Sequence, residues 1–564
     1  MHSRLDPSYR EAALRTLTET EFDVLVIGGG VVGAGAALDA ASRGLSVALV
    51  EARDWAAGTS SRSSKLIHGG LRYLEQRDFS LVREALRERR LLLHRLAPHL
   101  VRPVPFLYPL RRRGWERAYV GAGVLLYDTL GGARALPRHR HLSRRRALRL
   151  APSLKPEALT GAIRYYDAQV DDARHTMMLA RTAAQHGATV LTRVAATELR
   201  RDGNRVTGAW VRDDQSGDQF EVRARRVIAA TGVWADEIHA LAATPRPFRV
   251  RMSKGVHLLV PRDRIRLATG LITRTEKSVL FVIPWGEHWI VGTTDTPWDH
   301  DRAQPTASRA DVDYLLDHVN AVLRDPLTVA DVTGVYAGLR PLLAGESDQT
   351  AQLSREHAVA EPAPGLFVIA GGKYTTYRVM AADVVDAAAP GLGRVVAPSL
   401  TDRLPILGAV GYHELWEDRL SVAHRANLTG AELERLLGRY GSAVTDLLDM
   451  IGNDAAMAAP IPGGAGYLCV EAVYAVTHEG AQHLDDVLSR RTRMAFETPD
   501  GGVSAAPAVA DLIAAHLGWD RTTVADEVAR YQAQVDAEQA ARQAGAGALD
   551  SAIARDQNLQ ASSR

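Results

Sequence analysis

Cysteine is almost absent from this chain. Cys469 is the only one in 564 residues, which excludes an internal disulfide, a multi-cysteine metal site and an iron–sulfur cluster, and fits a reducing compartment. It lies in an apolar run and is expected to be core. No window reaches the eighteen or more apolar residues of a membrane span, and the opening MHSRLDPSYREAALRTL lacks the apolar core of a secretory signal. The expectation is a chain made and kept inside the cell. Also missing are a repeat of fixed period and metal spacings such as H-E-x-x-H or paired C-x-x-C. Neither sign of charge is in excess; the net charge of +2 names no partner. A hydrophobic share of 46% over this length allows two or three domains with sizeable cores.

What is present begins at Asp23. The stretch DVLVIGGGVVGAGAALDAASRGLSVALVE reads as strand, glycine turn, helix, second strand and terminal acid. Gly28, Gly30 and Gly33 fall at the G-x-G-x-x-G spacing between the apolar run Val24 to Ile27 and the Ala-rich segment Ala34 to Ala41. The first glycine permits a tight turn. The second lets the backbone approach a pyrophosphate at the positive end of the helix, and the third lets that helix pack closely on the strand. Glu51 ends the second strand, where a carboxylate accepts hydrogen bonds from ribose hydroxyls; an acid there disfavours a 2′-phosphate, so the ligand is FAD or NAD rather than NADP. A ligand-free glycine turn is the bland alternative, and it is opposed by all these features occurring in order.

From Thr59 the chain reads TSSRSSKLIHGGLRYL. Seven hydroxyl or basic residues in succession ordinarily make a solvated loop, but this one follows the nucleotide strand and so lies at the carboxyl edge of the sheet, where doubly wound folds bind ligands. The block resembles the FAD-dependent, respiratory, quinone-linked glycerol-3-phosphate dehydrogenases, whose TSS and SSKLIHGGLRYL pattern is matched almost letter for letter. The resemblance covers residues 20 to 390 strongly and the remainder weakly. It implies an α/β fold: an FAD-binding Rossmann-like domain of the glutathione-reductase/D-amino-acid-oxidase type, a β-rich substrate domain and a C-terminal all-helical domain.

Asp78 to Leu96 reads as a long helix with an Arg/Glu-rich face, and the four prolines of APHLVRPVPFLYPL then impose extended chain, expected beside the active site. Between Arg111 and Arg149 stand eleven arginines against two acids, interleaved with WERAYVGAGVLLYDTLGG. A solvated basic surface and an interfacial anchor on anionic lipid both fit the residues. Nucleic-acid binding has no recognisable module behind it. The resemblance favours the anchor and places the chain as a peripheral enzyme on the inner face of the cell membrane.

A helix is expected to start at Asp171 or Asp172, and simple capping accounts for both aspartates. The strands VTGAWVRDD and FEVRARRVIAA lead to Ala230-Thr231-Gly232, which resembles the second flavoprotein fingerprint, so Val190 to Gly232 belongs to the FAD domain. Phe248 to Asp295 alternates with period two and is rich in aromatics, as a sheet over the flavin would be. It contains Lys254 and His257. A lone histidine on a strand is more often a satisfied core residue; the family's Lys-Gly-Ser-His run, here with Val256 for serine, turns the reading towards catalysis. YAGLRPL from Tyr336 resembles the family's YSGVRPL and makes Arg340 a substrate arginine, with Arg355 in the second arginine position. A guanidinium offers phosphate a planar fork that lysine does not. GLFVIAGGKYTTYR then predicts a strand, a turn and a second positive helix end facing the cofactor, with Lys373 adding a full charge.

The expected domains are residues 1–20 as an N-terminal extension, 21–245 with 330–397 for FAD, 246–329 for substrate, 398–542 as a helical cap and 543–564 as a disordered tail. The resemblance implies FAD-dependent oxidation of sn-glycerol 3-phosphate to dihydroxyacetone phosphate by hydride transfer from C2 to flavin N5, with electrons passed to membrane quinone. His257 is the preferred base and His68 its rival, with Arg340 able to stabilise an alkoxide. Arg72, Tyr73, Lys254, Arg340, Arg355 and Lys373 form the implied substrate cradle. Cofactor contacts are assigned to Gly28, Gly30, Gly33 and Glu51 from the spacing. The resemblance adds Thr59, Ser60, Ser64, Lys65, His68 and Gly69 from the loop, and Val194, Thr231, Gly232, Gly372, Lys373 and Thr375 from later segments. No metal and no nucleic acid are expected, and a homodimer is compatible with this reading. Rivals are an oxidase releasing hydrogen peroxide, another FAD-dependent amine or amino-acid oxidase, an NAD-linked dehydrogenase, and a non-catalytic flavin-binding protein.

Overall fold

The computed structural model describes residues 4–70, 78–112, 114–132, 136–242, 247–275, 279–343 and 356–543. The described chain forms two sheets with helices around them. The first has the strand order His357–Ala363, Leu366–Gly371, Gln219–Ala229, Glu21–Ile27, Val47–Glu51, Thr189–Thr192, and every pairing along it but the first is parallel. The hairpin Val194–Asp202 and Arg205–Asp213 joins antiparallel to Gln219–Ala229. Parallel strands buried on both faces need apolar runs, and Val24, Leu25, Val47, Ala48, Val227 and Ile228 are all buried. The helices Val31–Ser42, Asp172–Gln185 and Tyr377–Ala388 cover one side.

The expected N-terminal extension is part of this domain. Asp6 caps the helix Pro7–Glu19 by accepting from the Tyr9 amide, and Ala13 and Leu17 enter the core beside Phe22 and Leu25. That follows from an apolar stripe at i and i+4 on an otherwise polar helix.

The second sheet is larger than the expected 246–329. Its order is Thr296–Pro297, Val250–Pro261, His288–Gly292, Val279–Trp285, Gly270–Arg274, Val101–Leu110, Gly161–Val170, Leu66–Ile67, with Gly334–Leu343 paired to Val250–Pro261 and Arg140–Ser143 to Gly161–Val170. Segments assigned by sequence to the FAD domain thus supply five of its strands. The reason is non-local: the chain leaves the nucleotide sheet after Glu51 and returns at Thr189, and hydrogen-bond pairing over such distances has no local signature. The proline-rich Val101–Leu110 is extended, as predicted, and its prolines sit within an antiparallel pair with Gly161–Val170.

The helix Phe79–Leu91, capped by Asp78, continues into one π-helical turn, Leu92–Leu96. It and the helix Trp115–Leu130 pack on one face of the second sheet, while Arg309–Asn320 packs on the other. Beyond residue 398 the described chain is helical, ending with Arg521–Gln543. This part is joined to the nucleotide domain by buried ion pairs: Arg490 and Arg491 with Asp54, Arg174 with Glu479, and Arg493 with Asp171 and Asp172. Removing one partner of such a pair strands the other charge at about 3–5 kcal/mol.

Candidate active site

A cleft of about 570 Å³ runs from the carboxyl ends of the parallel strands to the face of the second sheet. Gly28 and Gly30 line its nucleotide end. Gly28 has φ +110° and a side chain there would come 2.7 Å from the Ala230 carbonyl oxygen, so only glycine fits. Gly33 does not line the cleft; its missing side chain lets the helix Val31–Ser42 lie directly on the Gly28 carbonyl. Gly30 starts that helix without a side-chain cap, and the Val31 amide donates to Ser60 Oγ at 2.9 Å. Glu51 is held at the rim by the amides of Gly29 (2.6 Å) and Arg53 (2.8 Å). Thr231 places a buried hydroxyl with no partner among the described residues against the cleft. A helix start whose N-cap is glycine, a carboxylate at the second strand and an orphaned hydroxyl at the return strand fit a dinucleotide such as FAD.

At the other end, Gly371 (φ +79°) and Gly372 (φ +80°) turn the chain from the strand Leu366–Gly371 to Lys373. Thr375 Oγ1 accepts from the His68 amide at 3.1 Å and ties the His68 loop to this turn. Thr59, Ser60, Ser64, His68, Val194, Gly232, Gly372, Lys373 and Thr375 all line the cleft.

Strand alternation decides which residues of Val250–Pro261 reach it. Ser253, Gly255 and His257 share one face, while Lys254 and Val256 point to the other. His257 and Gly255 line the cleft. Lys254 instead donates to Asp311 Oδ2 at 2.6 Å beneath the helix Arg309–Asn320, over the Trp298 ring. It is outside the cradle, and the Val256 departure from the family pattern is equally remote. The antiparallel register places Arg340 opposite Ser253 and Tyr336 opposite His257. Gly255 leaves the space that the Arg340 guanidinium fills, since any side chain there would overlap it. Arg340 donates to Thr293 Oγ1 (3.0 Å), the Thr294 carbonyl (3.1 Å) and Ser253 Oγ (3.3 Å), and lies 3.8 Å from Asp295. Thr293 and Thr294 carried no signal of this role in the sequence.

His257 is 2% exposed. Its ring stacks on Tyr336 at 4.8 Å and 12°, its Nε2 lies 2.8 Å from Ser64 Oγ, and its Nδ1 is buried with no hydrogen-bond partner among the described residues. Burial, then the charges of Arg340 and Lys65, hold its pKa well below the usual imidazole range, so it is neutral at physiological pH.

Two loop residues stand apart from the cleft. Lys65, with φ +57°, is fully buried and donates to Asp172 Oδ1 (2.8 Å) and the Ser61 carbonyl (3.0 Å), among the rings of Tyr336, Trp285 and Phe496. Burial brings its pKa down to about 8 against the pull of Asp172. The Gly69 amide donates to Tyr127 Oη at 2.8 Å. Arg72, Tyr73 and Arg355 lie outside the described residues.

Residues 23–387 match the family model of FAD-dependent oxidoreductases, and residues 399–524 match that of the C-terminal domain of alpha-glycerophosphate oxidase. "Glycerol-3-phosphate dehydrogenase 2" of Mycobacterium tuberculosis is 58% identical over 534 residues, covering 95% of this chain and 91% of the relative. The chain belongs to the FAD-dependent glycerol-3-phosphate dehydrogenase family. The human mitochondrial glycerol-3-phosphate dehydrogenase is 37% identical over 91% of this chain and 73% of its own length. Among solved structures, the glycerol-3-phosphate dehydrogenase of Bacillus halodurans complexed with FAD superposes with a TM-score of 0.77 at 28% identity, covering 95% of this chain and 97% of the other. As a member of this family the chain is an FAD-dependent oxidoreductase.

Proposed function

We propose that this enzyme oxidises sn-glycerol 3-phosphate to dihydroxyacetone phosphate and passes the electrons to membrane quinone. The observation that carries the substrate reading is the convergence of a neutral, buried His257 and a side-held Arg340 at one end of a cleft whose other end fits FAD. Bound FAD supplies a two-electron acceptor for the hydride that leaves C2. His257 takes the C2 hydroxyl proton at Nδ1, the nitrogen with no partner among the described residues. Arg340 presents a fork that holds an oxygen of the substrate, and Lys373 adds positive charge to the same end. Arg72, Tyr73 and Arg355 remain part of the proposed cradle through the family pattern.

Anaerobic addition of glycerol 3-phosphate to the FAD-loaded protein is expected to bleach the flavin stoichiometrically, and an unchanged spectrum would sink the reading. Reoxidation by a quinone much faster than by dioxygen supports the dehydrogenase; rapid peroxide release supports the oxidase, a rival kept open by the match of residues 399–524.

Attachment to the membrane surface is the second part of the proposal. No helix among the described residues is long and apolar enough to cross a membrane. The helix Trp115–Leu130 buries Val120, Val124 and Tyr127, yet leaves Trp115, Tyr119 and Leu125 60%, 55% and 58% exposed next to the arginines that precede it. Apolar side chains beside arginines suit the headgroup region of an anionic bilayer.

A further inference from the structure

We infer that Arg493, from the helical C-terminal part, is a positioning residue for His257, and that Ser64 is the last link of the relay. This rests on the reading of His257 as the base.

His257 is gripped from two sides, and both grips lead back to Arg493. The first is polar. Arg493 Nη2 donates to Asp172 Oδ1 at 2.8 Å and also to Asp171. Asp172 Oδ2 accepts from the amide (3.0 Å) and hydroxyl (2.7 Å) of Ser63. Those two bonds set the backbone that presents Ser64 Oγ to His257 Nε2 at 2.8 Å. The second grip is through rings. The Arg493 guanidinium lies 5.4 Å from the centre of the Phe496 ring, Phe496 contacts Tyr336 at 5.2 Å, and Tyr336 stacks on His257. Tyr336 closes the circuit by donating its hydroxyl to the Ser63 carbonyl at 2.9 Å.

The chemistry this supports is tautomer selection. A neutral imidazole carries one proton, and the nitrogen that keeps it is decided by the bond the other environment offers. Ser64 Oγ can accept from Nε2–H, and because Nδ1 is buried with no partner among the described residues, a bare lone pair there costs less than an N–H without an acceptor; the Nε2–H tautomer is favoured and the Nδ1 lone pair is left to take a proton. Asp172 is occupied by Lys65 and Arg493 on one oxygen and by Ser63 on the other, so the loop has one register in which the charges are satisfied. The helical part therefore completes the site without lining the cleft.

The test compares Ser64→Ala, Arg493→Lys and the double variant, each FAD-loaded. Ser64→Ala removes the link to the ring and keeps the bonds to Asp172, which come from Ser63. Arg493→Lys keeps the buried charge that Asp171 and Asp172 require while losing the fork, which avoids stranding an unpaired carboxylate. Each single variant is expected to lower the limiting rate of anaerobic flavin reduction about tenfold or more, with the half-saturating substrate concentration changed less than twofold. The double variant should be no slower than the slower single one, because the bond that Ser64→Ala removes is one of those through which Arg493 acts. A wild-type rate in Arg493→Lys, or a double variant whose loss is the product of the two, would overturn the relay. Bleaching of the unmodified enzyme tests the functional reading separately. Nitrogen-15 spectra of His257 read the relay without substrate: Nε2–H is expected in the wild type and mixed tautomers in both variants, and an unchanged signal in Arg493→Lys overturns it.

Discussion

At the residue scale the site is governed by what His257 and Arg340 are denied. His257 is denied water and a positive charge of its own, and its pKa lies well below 6.5 because burial penalises the imidazolium before Arg340 and Lys65 add their repulsion. The rate of flavin reduction should accordingly show no limb from this histidine between pH 6 and 8, since it is already deprotonated throughout. Its replacement by alanine should slow reduction on the order of 10²-fold or more with a small effect on substrate binding, as loss of a general base does; unchanged anaerobic kinetics would remove it from that role. Arg340 is denied freedom, being held by Ser253, Thr293 and Thr294. Arg340→Ala is expected mainly to raise the half-saturating substrate concentration. Gly255→Ala should do the same at a distance in sequence, because its methyl group would occupy the guanidinium's place. Steady-state titrations of the two variants would show whether they share this defect.

At the scale of elements, alternation along one strand separates residues that sit together in the sequence. Lys254 and His257 are three apart and on opposite faces of Val250–Pro261, so one is a buried ion-pair partner and the other lines the cleft. The helix Trp115–Leu130 is divided in the same way around its axis. Its inner face reaches the site loop through Tyr127, whose hydroxyl accepts from Gly69 and donates to Asp167. Burial pushes the Asp167 carboxyl up to about 6 even though Arg89 opposes the shift. Its outer face is apolar beside arginines. Trp115→Glu with Leu125→Glu is expected to abolish most co-sedimentation with vesicles containing anionic lipid, while reduction of the bound flavin by substrate in solution is unchanged. Retained sedimentation would assign that face another purpose.

At the scale of the whole molecule, buried titratable groups set the response to acid. His99 and His175 are enclosed where the helical part meets the nucleotide domain, and burial lowers each to about 3. An imidazole whose folded pKa is depressed adds stability above its unfolded value of about 6.5, and that stability is lost as pH falls towards the folded value. Each contributes up to about 1.4 kcal/mol per pH unit in that window. Asp171 acts lower: burial opposes its ionisation, but Arg493 and Arg439 hold its carboxyl well below the usual range, so its contribution fades only below about pH 3.9. The thermal midpoint of the FAD-loaded protein should therefore fall steadily from pH 7 to pH 4. A midpoint that is flat or rises over that range would contradict this assignment.

By itself the sequence determined the cofactor end and the family. Gly28, Gly30, Gly33 and Glu51 belong to one continuous strand, turn, helix and strand, and a motif of that kind is legible because its physics is local. The helix start at Asp171, the extended proline-rich segment and the helical character of the C-terminal part were legible for the same reason. Tertiary structure alone decided the rest. It put Lys65 and Lys254 into buried ion pairs, drew five strands from outside 246–329 into the second sheet, and set Arg493 behind the loop that holds His257. Asp171 and Asp172 read in sequence as caps, and they are also the partners of an arginine more than three hundred residues away. A cap is satisfied by the next turn of its own helix, whereas a buried charge is satisfied by whatever the fold brings to it.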